Sequence, residues 1–262
     1  MSSPYTCRSD VMGLLPVEIK VNVEDDVAGA MSALGASQGA LMTRRIWFAE
    51  DPVGVAQGKL LLLDGGVIVR IRIGGGQDDV VVKLRPCTRE QLLGRFTAPF
   101  EVDALTYRIE EDWSRNGRVL AASLVRDHPP GALPAAVTPG SDPATLFDEV
   151  QDQFLDTCAP DVRFEALVAL GPISATKVED VPLDDLKVDL EAWSVAGLNF
   201  LEASIRVKPK AGDDEEEFKE RAERKLRKLE EAVLERGVTL SEVPDSKTHR
   251  VLTALVAAAA QG

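Results

Sequence analysis

Residues 67–85 read VIVRIRIGGGQDDVVVKLR, two runs of alternating residues on either side of a glycine-rich turn. Successive side chains of a strand point to opposite faces, so Arg70 and Arg72 share one face of the first run. Lys83 and Arg85 share one face of the second. The segment GGGQDD supplies the turn that folds both runs into a hairpin. The sequence therefore predicts a two-stranded ribbon with four cations on one face and aliphatic residues on the other.

The same alternation recurs along the chain and predicts about eight strands, nearly all with one polar and one apolar face. Residues 17–23, 100–109 and 199–207 are examples. Residues 163–170 are predicted to be another strand, and residues 49–66 are predicted to be a loop.

Amphipathic helices are predicted between and after the strands. Asp25 is expected to cap a short helix at residues 27–34, and Asp142 to begin one that Pro160 ends. Residues 213–236 carry an apolar stripe on a charged helix that Gly237 ends. A final helix is expected at residues 246–260.

This element pattern favours an α+β fold. We expect an eight-stranded antiparallel barrel with a polar lumen, covered on its apolar outside by the amphipathic helices. An open sheet with one wet face would leave the helices without enough apolar partners. The predicted division is a barrel over residues 1–210 and a C-terminal helical extension over residues 211–262.

Composition limits the compartment and the partners. The 262 residues carry a net charge of −13, which argues against a protein that grips nucleic acid over a broad surface. The sequence has no transmembrane-length apolar run and no signal-peptide pattern at its N-terminus, so no membrane partner is expected. Cys7, Cys87 and Cys158 are odd in number and widely spaced, which predicts reduced thiols in a cytoplasmic protein.

The predicted lumen carries charges of both signs. Its residues are Glu18, Lys20, Arg70, Arg72, Lys83, Arg85, Glu101, Asp103, Glu202 and Arg206. Guanidinium and ammonium groups bind phosphate oxygens, and carboxylates bind Mg²⁺ or Mn²⁺. The pattern therefore suits a polyphosphate with a divalent metal ion. The alternative is that these charges neutralise one another as internal ion pairs.

Residues 16–207 resemble the CYTH superfamily, the triphosphate tunnel enzymes that include thiamine triphosphatases, inorganic triphosphatases and class IV adenylyl cyclases. The segments that carry the resemblance are EIK at 18–20, RRIWFAEDP at 44–52, GVIVRIR at 66–72, VVVKLRP at 80–86 and LNFLEASI at 198–205. The resemblance implies a tunnel barrel, a triphosphate-bearing substrate and a divalent metal ion, Mg²⁺ or Mn²⁺.

The resemblance and the lumen pattern together assign roles to residues. Lys20 and Glu18 are the predicted catalytic residues. The predicted phosphate ligands are Arg70, Arg72, Lys83, Arg85 and Arg206, and the predicted metal ligands are Glu18, Glu101, Asp103 and Glu202.

Three positions depart from the pattern of the family. Pro16 and Ser204 stand where it has glutamates, and residues 47–50 read WFAE in place of a Tyr-Phe-Asp-Thr-like stretch. Two expected metal ligands are therefore missing, which favours the loss of one of two metal sites.

Three functions remain open from the sequence. The first is metal-dependent hydrolysis of a triphosphate-containing substrate, with class IV-type adenylyl cyclase activity as its variant. The second is a binding module that senses a nucleotide or polyphosphate without turnover. The third is a structural barrel that engages a protein through its acidic C-terminal helices. A phosphorylated small molecule is the expected partner, and the pattern also allows a homodimer.

Overall fold

The protein is described by a computed structural model that covers residues 13–23, 26–243 and 246–259. Its strands form one sheet. They are β1 (Val17–Val23), β2 (Ala40–Glu50), β3 (Val67–Ile73), β4 (Asp78–Cys87), β5 (Phe100–Val102), β6 (Leu105–Ser114), β7 (Gly117–His128), β8 (Val168–Leu183), β9 (Leu186–Val195) and β10 (Leu198–Val207).

Nine of these strands close into a barrel in the order β1-β10-β9-β8-β2-β3-β4-β7-β6, and β5 extends the sheet from β6. Every neighbouring pair is antiparallel except β1 and β6, whose parallel pairing closes the ring. A ring with an odd number of strands cannot alternate direction throughout, so one parallel pair is required. The prediction of a closed barrel in an α+β fold is confirmed, but the prediction of eight strands, all antiparallel, was wrong.

The hairpin of β3 and β4 has the register that the sequence alternation predicts. Arg70 pairs with Val81 and Arg72 with Asp79 across the two strands. Gly75 lies in the turn with φ +71°, in the left-handed region that favours glycine. The hairpin therefore carries its charged side chains on one face.

Six helices accompany the barrel in the described residues. They are α1 (Val27–Ala33), α2 (Pro52–Ala56), α3 (Leu61–Asp64), α4 (Glu149–Cys158), α5 (Glu215–Glu235) and α6 (Lys247–Ala259). Residues 49–66 were predicted to be a loop, and they contain α2 and α3. Asp142 caps only a 3-10 turn, whereas Asp148 caps α4.

The predicted cap of α1, Asp25, lies outside the described residues, and so does Cys7. Within those residues Asp26 accepts a hydrogen bond from the Gly29 backbone and caps α1. Cys87 and Cys158 are free and buried. Of the helices the structure describes, none combines the length and the apolar character that crossing a membrane requires.

The apolar outside of the barrel is buried by helices. One core joins β1, β8, β9 and β10 to α1 and α5, with Ile19 and Leu229 fully buried. A second core joins β3, β4, β6 and β7 to α4 around Tyr107 and Phe154. The prediction that helices cover the apolar face of the strands is therefore confirmed.

A lumen that is polar along its whole length was also expected, and the structure corrects this. Phe48, Ile173, Trp193 and Phe200 form an apolar cluster with residues of α6. Trp193 shares a strand face with Glu191 because the two lie two residues apart on β9. The interior of the barrel is therefore charged in one part and apolar at one end.

Candidate functional site

Asp112, on β6, is the centre of the cationic cluster. Its carboxylate accepts hydrogen bonds from Lys20 at 3.1 Å, Lys83 at 3.2 Å and Arg85 at 2.6 Å. Lys20 comes from β1 and the other two from β4. The parallel closure places Glu18 of β1 opposite Asp112 and so brings β1 to this point. The side chain of Asp112 is only 1% exposed. Three predicted cations therefore converge on one buried carboxylate.

Two further carboxylates complete this cluster. Glu18 pairs with Lys20 at 2.7 Å, and Glu110 pairs with Arg206 at 2.6 Å. Glu110 lies two residues before Asp112 on β6, so the strand periodicity gives both the same face. The predicted residues Glu18, Lys20, Lys83, Arg85 and Arg206 are thus brought together.

Glu18, Glu110 and Asp112 form a group that fits a divalent cation. Each offers a carboxylate oxygen, and these oxygens lie within 4.8 Å of one another. Mg²⁺ and Mn²⁺ prefer such hard oxygen ligands and take remaining ligands from water or phosphate. Lys20 contacts two of these carboxylates, so a metal ion would share the group with that ammonium. The donor chemistry fits the ion that the resemblance implies.

Burial and neighbouring charges set the protonation of this cluster. Burial, together with the charge of Glu18, raises the pKa of Glu110. Burial also opposes the charge of Asp112, but its three cations outweigh that effect and hold its pKa well below the usual range. In the same way Glu18 and Asp112 outweigh burial and raise the pKa of Lys20. Burial and the ammonium of Lys20 lower the pKa of Lys83.

Arg70 differs from the other predicted cations because it makes no ion pair or hydrogen bond with any residue that the structure describes. Its Nε is buried and lacks a partner. Burial and the neighbouring Arg72 lower the pKa of the Arg70 guanidinium to about 10. Arg72 itself is engaged, since its Nε donates to both oxygens of Asp79 at 2.8 Å. Arg70 is therefore a partly buried cation whose buried Nε has no hydrogen-bond partner among the described residues.

Glu202, a predicted metal ligand, lies at a different place. Its carboxylate is 3.5 Å from Lys247, the first residue of α6. The same ammonium pairs with Glu191 at 2.9 Å and lies 4.0 Å from the ring centroid of Trp193. Burial opposes the charge of Glu191, but Lys247 outweighs it and lowers the pKa to about 2. Glu202 therefore belongs to a second group that already contains a cation.

A cavity of about 100 Å³ connects the two groups. Residues from both line it, together with Arg70 and the N-terminal end of α6. The lining residues that carry charge are Lys20, Arg70, Lys83, Arg85, Asp112, Glu191, Glu202 and Lys247. The cavity is smaller than the roughly 300 Å³ at which ligand pockets usually begin.

Glu101 and Asp103, two predicted metal ligands, are not part of either group. Both are exposed, on β5 and in the turn that follows it. The prediction is corrected because β5 has only three residues at the end of the sheet. Glu110 and Asp112 are the acids of this region that reach the cluster.

The sequence analysis missed Glu110, Asp112, Glu191 and Lys247. The first two had a detectable signal, because Arg108, Glu110 and Asp112 alternate along β6. The predicted strand ended at residue 109, three positions before that signal was complete. Lys247 had no signal, since only the packing of α6 against the barrel brings it to Glu191.

No family model matches this sequence, and no curated protein matches it significantly. Similar solved structures exist. One is HpAC1 from Hippeastrum, a proposed adenylyl cyclase described as having a dominant triphosphatase activity, with a TM-score of 0.58 and 13% identity over 92% of this chain and 96% of that one. Another is a proposed adenylate cyclase from Bacillus halodurans, with a TM-score of 0.52 and 13% identity over 90% of this chain and 98% of that one. The chain therefore shares its fold with these two solved structures at low sequence identity, and this agrees with the fold that the sequence resemblance implied.

Proposed function

We propose that this protein hydrolyses a triphosphate-containing compound with the help of a divalent metal ion in its tunnel. Arg70 is the observation that carries the proposal. A buried guanidinium nitrogen such as Arg70 Nε is costly to leave without a partner, and phosphate oxygens match the donor geometry of the group. The cavity that Arg70 lines also contains Asp112, one of the three carboxylates that fit Mg²⁺ or Mn²⁺. Inorganic triphosphate, thiamine triphosphate and nucleoside triphosphates share this recognition chemistry.

Each residue has a proposed role. Arg70 and Arg72 bind phosphate oxygens, and Lys83, Arg85 and Arg206 add positive charge beside them. Lys20 remains an ammonium at neutral pH because its pKa is raised, so its role is to stabilise negative charge.

Glu18, Glu110 and Asp112 would hold the metal ion. Once bound, that ion polarises a phosphoryl oxygen and neutralises developing charge. The group lies beside Lys83, which contacts Asp112, so the phosphate chain would meet the metal ligands and the cations together. The HpAC1 likeness favours hydrolysis over cyclisation, because that protein is described as having a dominant triphosphatase activity.

A second candidate is a module that binds a triphosphate without turning it over. The ion pairs favour it, because most of the predicted cations already contact a carboxylate that the ligand must displace. Ser204 also lacks the carboxylate expected at its position.

The test is phosphate release from triphosphate, thiamine triphosphate and ATP with Mg²⁺ or Mn²⁺, next to thermal unfolding with the same compounds. Hydrolysis predicts release and a raised Tm, whereas the binding module predicts a raised Tm alone. The double variant Arg70→Ala, Arg72→Ala should abolish the Tm shift. Arg45→Ala is the control, since Arg45 is exposed and lies over the Trp47 ring. A Tm shift that survives the double change would refute this pocket.

A further inference from the structure

Two glutamates face one another across β9 and β10. Glu191 and Glu202 are directly opposite in the register of the two strands. Like charges at such a position are destabilising, because the side chains lie roughly 5 Å apart at their Cβ atoms. Their side chains are only 22% and 15% exposed, so water screens this repulsion poorly. A cation between them would offset this repulsion.

Lys247 supplies that cation from a distant part of the chain. Its ammonium contacts both carboxylates, at 2.9 and 3.5 Å, and the face of the Trp193 ring at 4.0 Å. The residue as a whole is 7% exposed. A buried ammonium with two carboxylates and an aromatic face is well compensated.

The position of Lys247 in α6 indicates that its charge stabilises groups in the tunnel and does not stabilise the helix. It is the first helical residue, where the macrodipole is positive and disfavours a cation. α6 has no acidic residue in its first turn to offset this. The stabilising partners of Lys247 are therefore the two tunnel glutamates.

We propose that Lys247 is a built-in cation that takes the place of a divalent metal ion between Glu191 and Glu202. The two carboxylates and the adjoining cavity provide the oxygen ligands that Mg²⁺ or Mn²⁺ requires, and the ammonium already shows that a cation is held there. The tunnel then needs a divalent ion only at Glu18, Glu110 and Asp112. This inference rests on the proposed function for that other ion, and it explains how the chain functions with Ser204 in place of a carboxylate.

The number of bound Mn²⁺ ions tests the proposal without reference to turnover. Free Mn²⁺ is counted by electron paramagnetic resonance while the full chain is titrated. Lys247→Met keeps the length of the side chain and removes its charge, so this variant should bind one more Mn²⁺ than the wild type. Lys228→Met is the control, because Lys228 pairs with Asp185 on the exposed surface of α5, and it should bind the wild-type number.

A second variant shows which residues gain the ion. The double change Lys247→Met, Glu202→Gln removes one of the two carboxylates, and the extra Mn²⁺ should be lost. An ion pair that only anchors α6 predicts a lower Tm for Lys247→Met without any additional Mn²⁺, and that result would overturn the proposal.

The test remains decisive if the Lys247→Met variant does not fold. If Lys247→Met unfolds without metal, added Mn²⁺ should restore cooperative thermal unfolding, and failure of this rescue would overturn the proposal. The difference in bound Mn²⁺ between Lys247→Met and the wild type can be measured whether or not the proposed function is correct. Absence of hydrolysis, or of Mn²⁺ at the Glu18 group, would refute that function while the gain of one ion over the wild type would still hold.

Discussion

Asp112 and Arg70 line the same cavity but have opposite electrostatic surroundings. Asp112 is a buried carboxylate with three cationic partners, whereas Arg70 is a partly buried cation with no anionic partner among the described residues. Removal of one partner from a buried ion pair leaves the other charge uncompensated. The two residues should therefore respond in opposite ways to substitution.

Asp112→Asn should destabilise the protein by about 3–5 kcal/mol, since it leaves Lys20, Lys83 and Arg85 without their shared anion. Denaturant unfolding at pH 7 measures this change. Asp185→Asn is the control, because Asp185 pairs with lysines of α5 at the exposed surface, and this change should have little effect on the unfolding free energy. Similar costs for the two variants would contradict the central role of Asp112.

The contribution of Asp112 to the free energy of unfolding should decrease as the pH falls. Its pKa is lower in the folded protein than in the unfolded chain. Its stabilising contribution is therefore fully present above the unfolded pKa of about 3.9 and is lost as the pH falls towards the folded value. The difference in unfolding free energy between wild type and Asp112→Asn should shrink below about pH 3.9. A difference that grows with acidity would contradict the assignment.

Arg70→Met should leave the thermal stability equal to or above that of the wild type, because it removes a buried charge but keeps apolar contacts. It should lose the stabilisation by triphosphate, which is about 2.7 kcal/mol for the wild type at a ligand concentration of 100 times Kd. Thermal unfolding with and without triphosphate measures both effects. A variant that unfolds at much lower temperature yet keeps the ligand effect would show that Arg70 is structural.

The strand face of a residue was predicted correctly where the strand periodicity was complete. Lys20, Lys83 and Arg85 were assigned to the lumen because each lies in an uninterrupted alternating run, and they meet at Asp112. That they meet there could not be predicted, since alternation gives a face but not the neighbouring strand. Lys247 lies on a helix, so strand periodicity carried no information about it.

At the scale of elements, the turn between β3 and β4 is shaped around Arg44 of β2. Gly75 has φ +71°, and a Cβ there would lie 2.8 Å from the Nε and 2.9 Å from the Cγ of Arg44. The turn therefore needs glycine for two reasons. The positive φ of residue 75 is strained for other residues, and a Cβ there would clash with the side chain of Arg44.

Gly75→Ala should destabilise the protein by about 2 kcal/mol or more, since left-handed strain of about 1–2 kcal/mol adds to the clash with Arg44. Gly58→Ala is a matched control, because Gly58 has φ +73° with open space around its Cα. Denaturant unfolding should show a larger cost at Gly75. The added change Arg44→Ala should bring that cost towards the Gly58 value, and equal costs at the two single sites would exclude the clash.

Element boundaries were harder to predict than element types. The central hairpin and α5 were predicted closely, because periodicity, turn glycines and caps agree there. The predicted strand at residues 163–170 is instead β8, from Val168 to Leu183, because Gly171-Pro172 resembles a break in a strand. Local chemistry signals an end at that point, but pairing with β2 and β9 continues the strand.

At the scale of the whole molecule, the net charge of −13 opposes the approach of an anionic ligand. The tunnel cations are mostly paired within 4 Å of carboxylates, so they offset this field only at short range. The Debye length falls from about 30 Å at 0.01 M salt to about 8 Å at 0.15 M. Long-range repulsion should therefore weaken as salt is added.

The association rate constant of a fluorescent ATP analogue should rise between 0.01 and 0.15 M salt. Stopped-flow fluorescence measures it. The variant Glu215→Lys, Glu216→Lys has a less negative surface at the start of α5, so its rate should depend less on salt. A wild-type rate that falls steeply with salt would show that the tunnel cations dominate the long-range field.

The closed barrel was predicted because both faces of the sheet required a partner, polar inside and helical outside. The strand number was wrong because the sequence does not show which strands lie side by side. Once the ring has nine members, one parallel pair is required, and β1 with β6 is that pair.

The position of β1 has a consequence for how the barrel folds. β1 pairs antiparallel with β10, which lies far away along the chain at residues 198–207. Pairing between such distant segments closes slowly because of loop entropy. Lys20 reaches Asp112 only when β1 is seated between β10 and β6, so we expect one folding step both to seal the cylinder and to assemble its charged cluster.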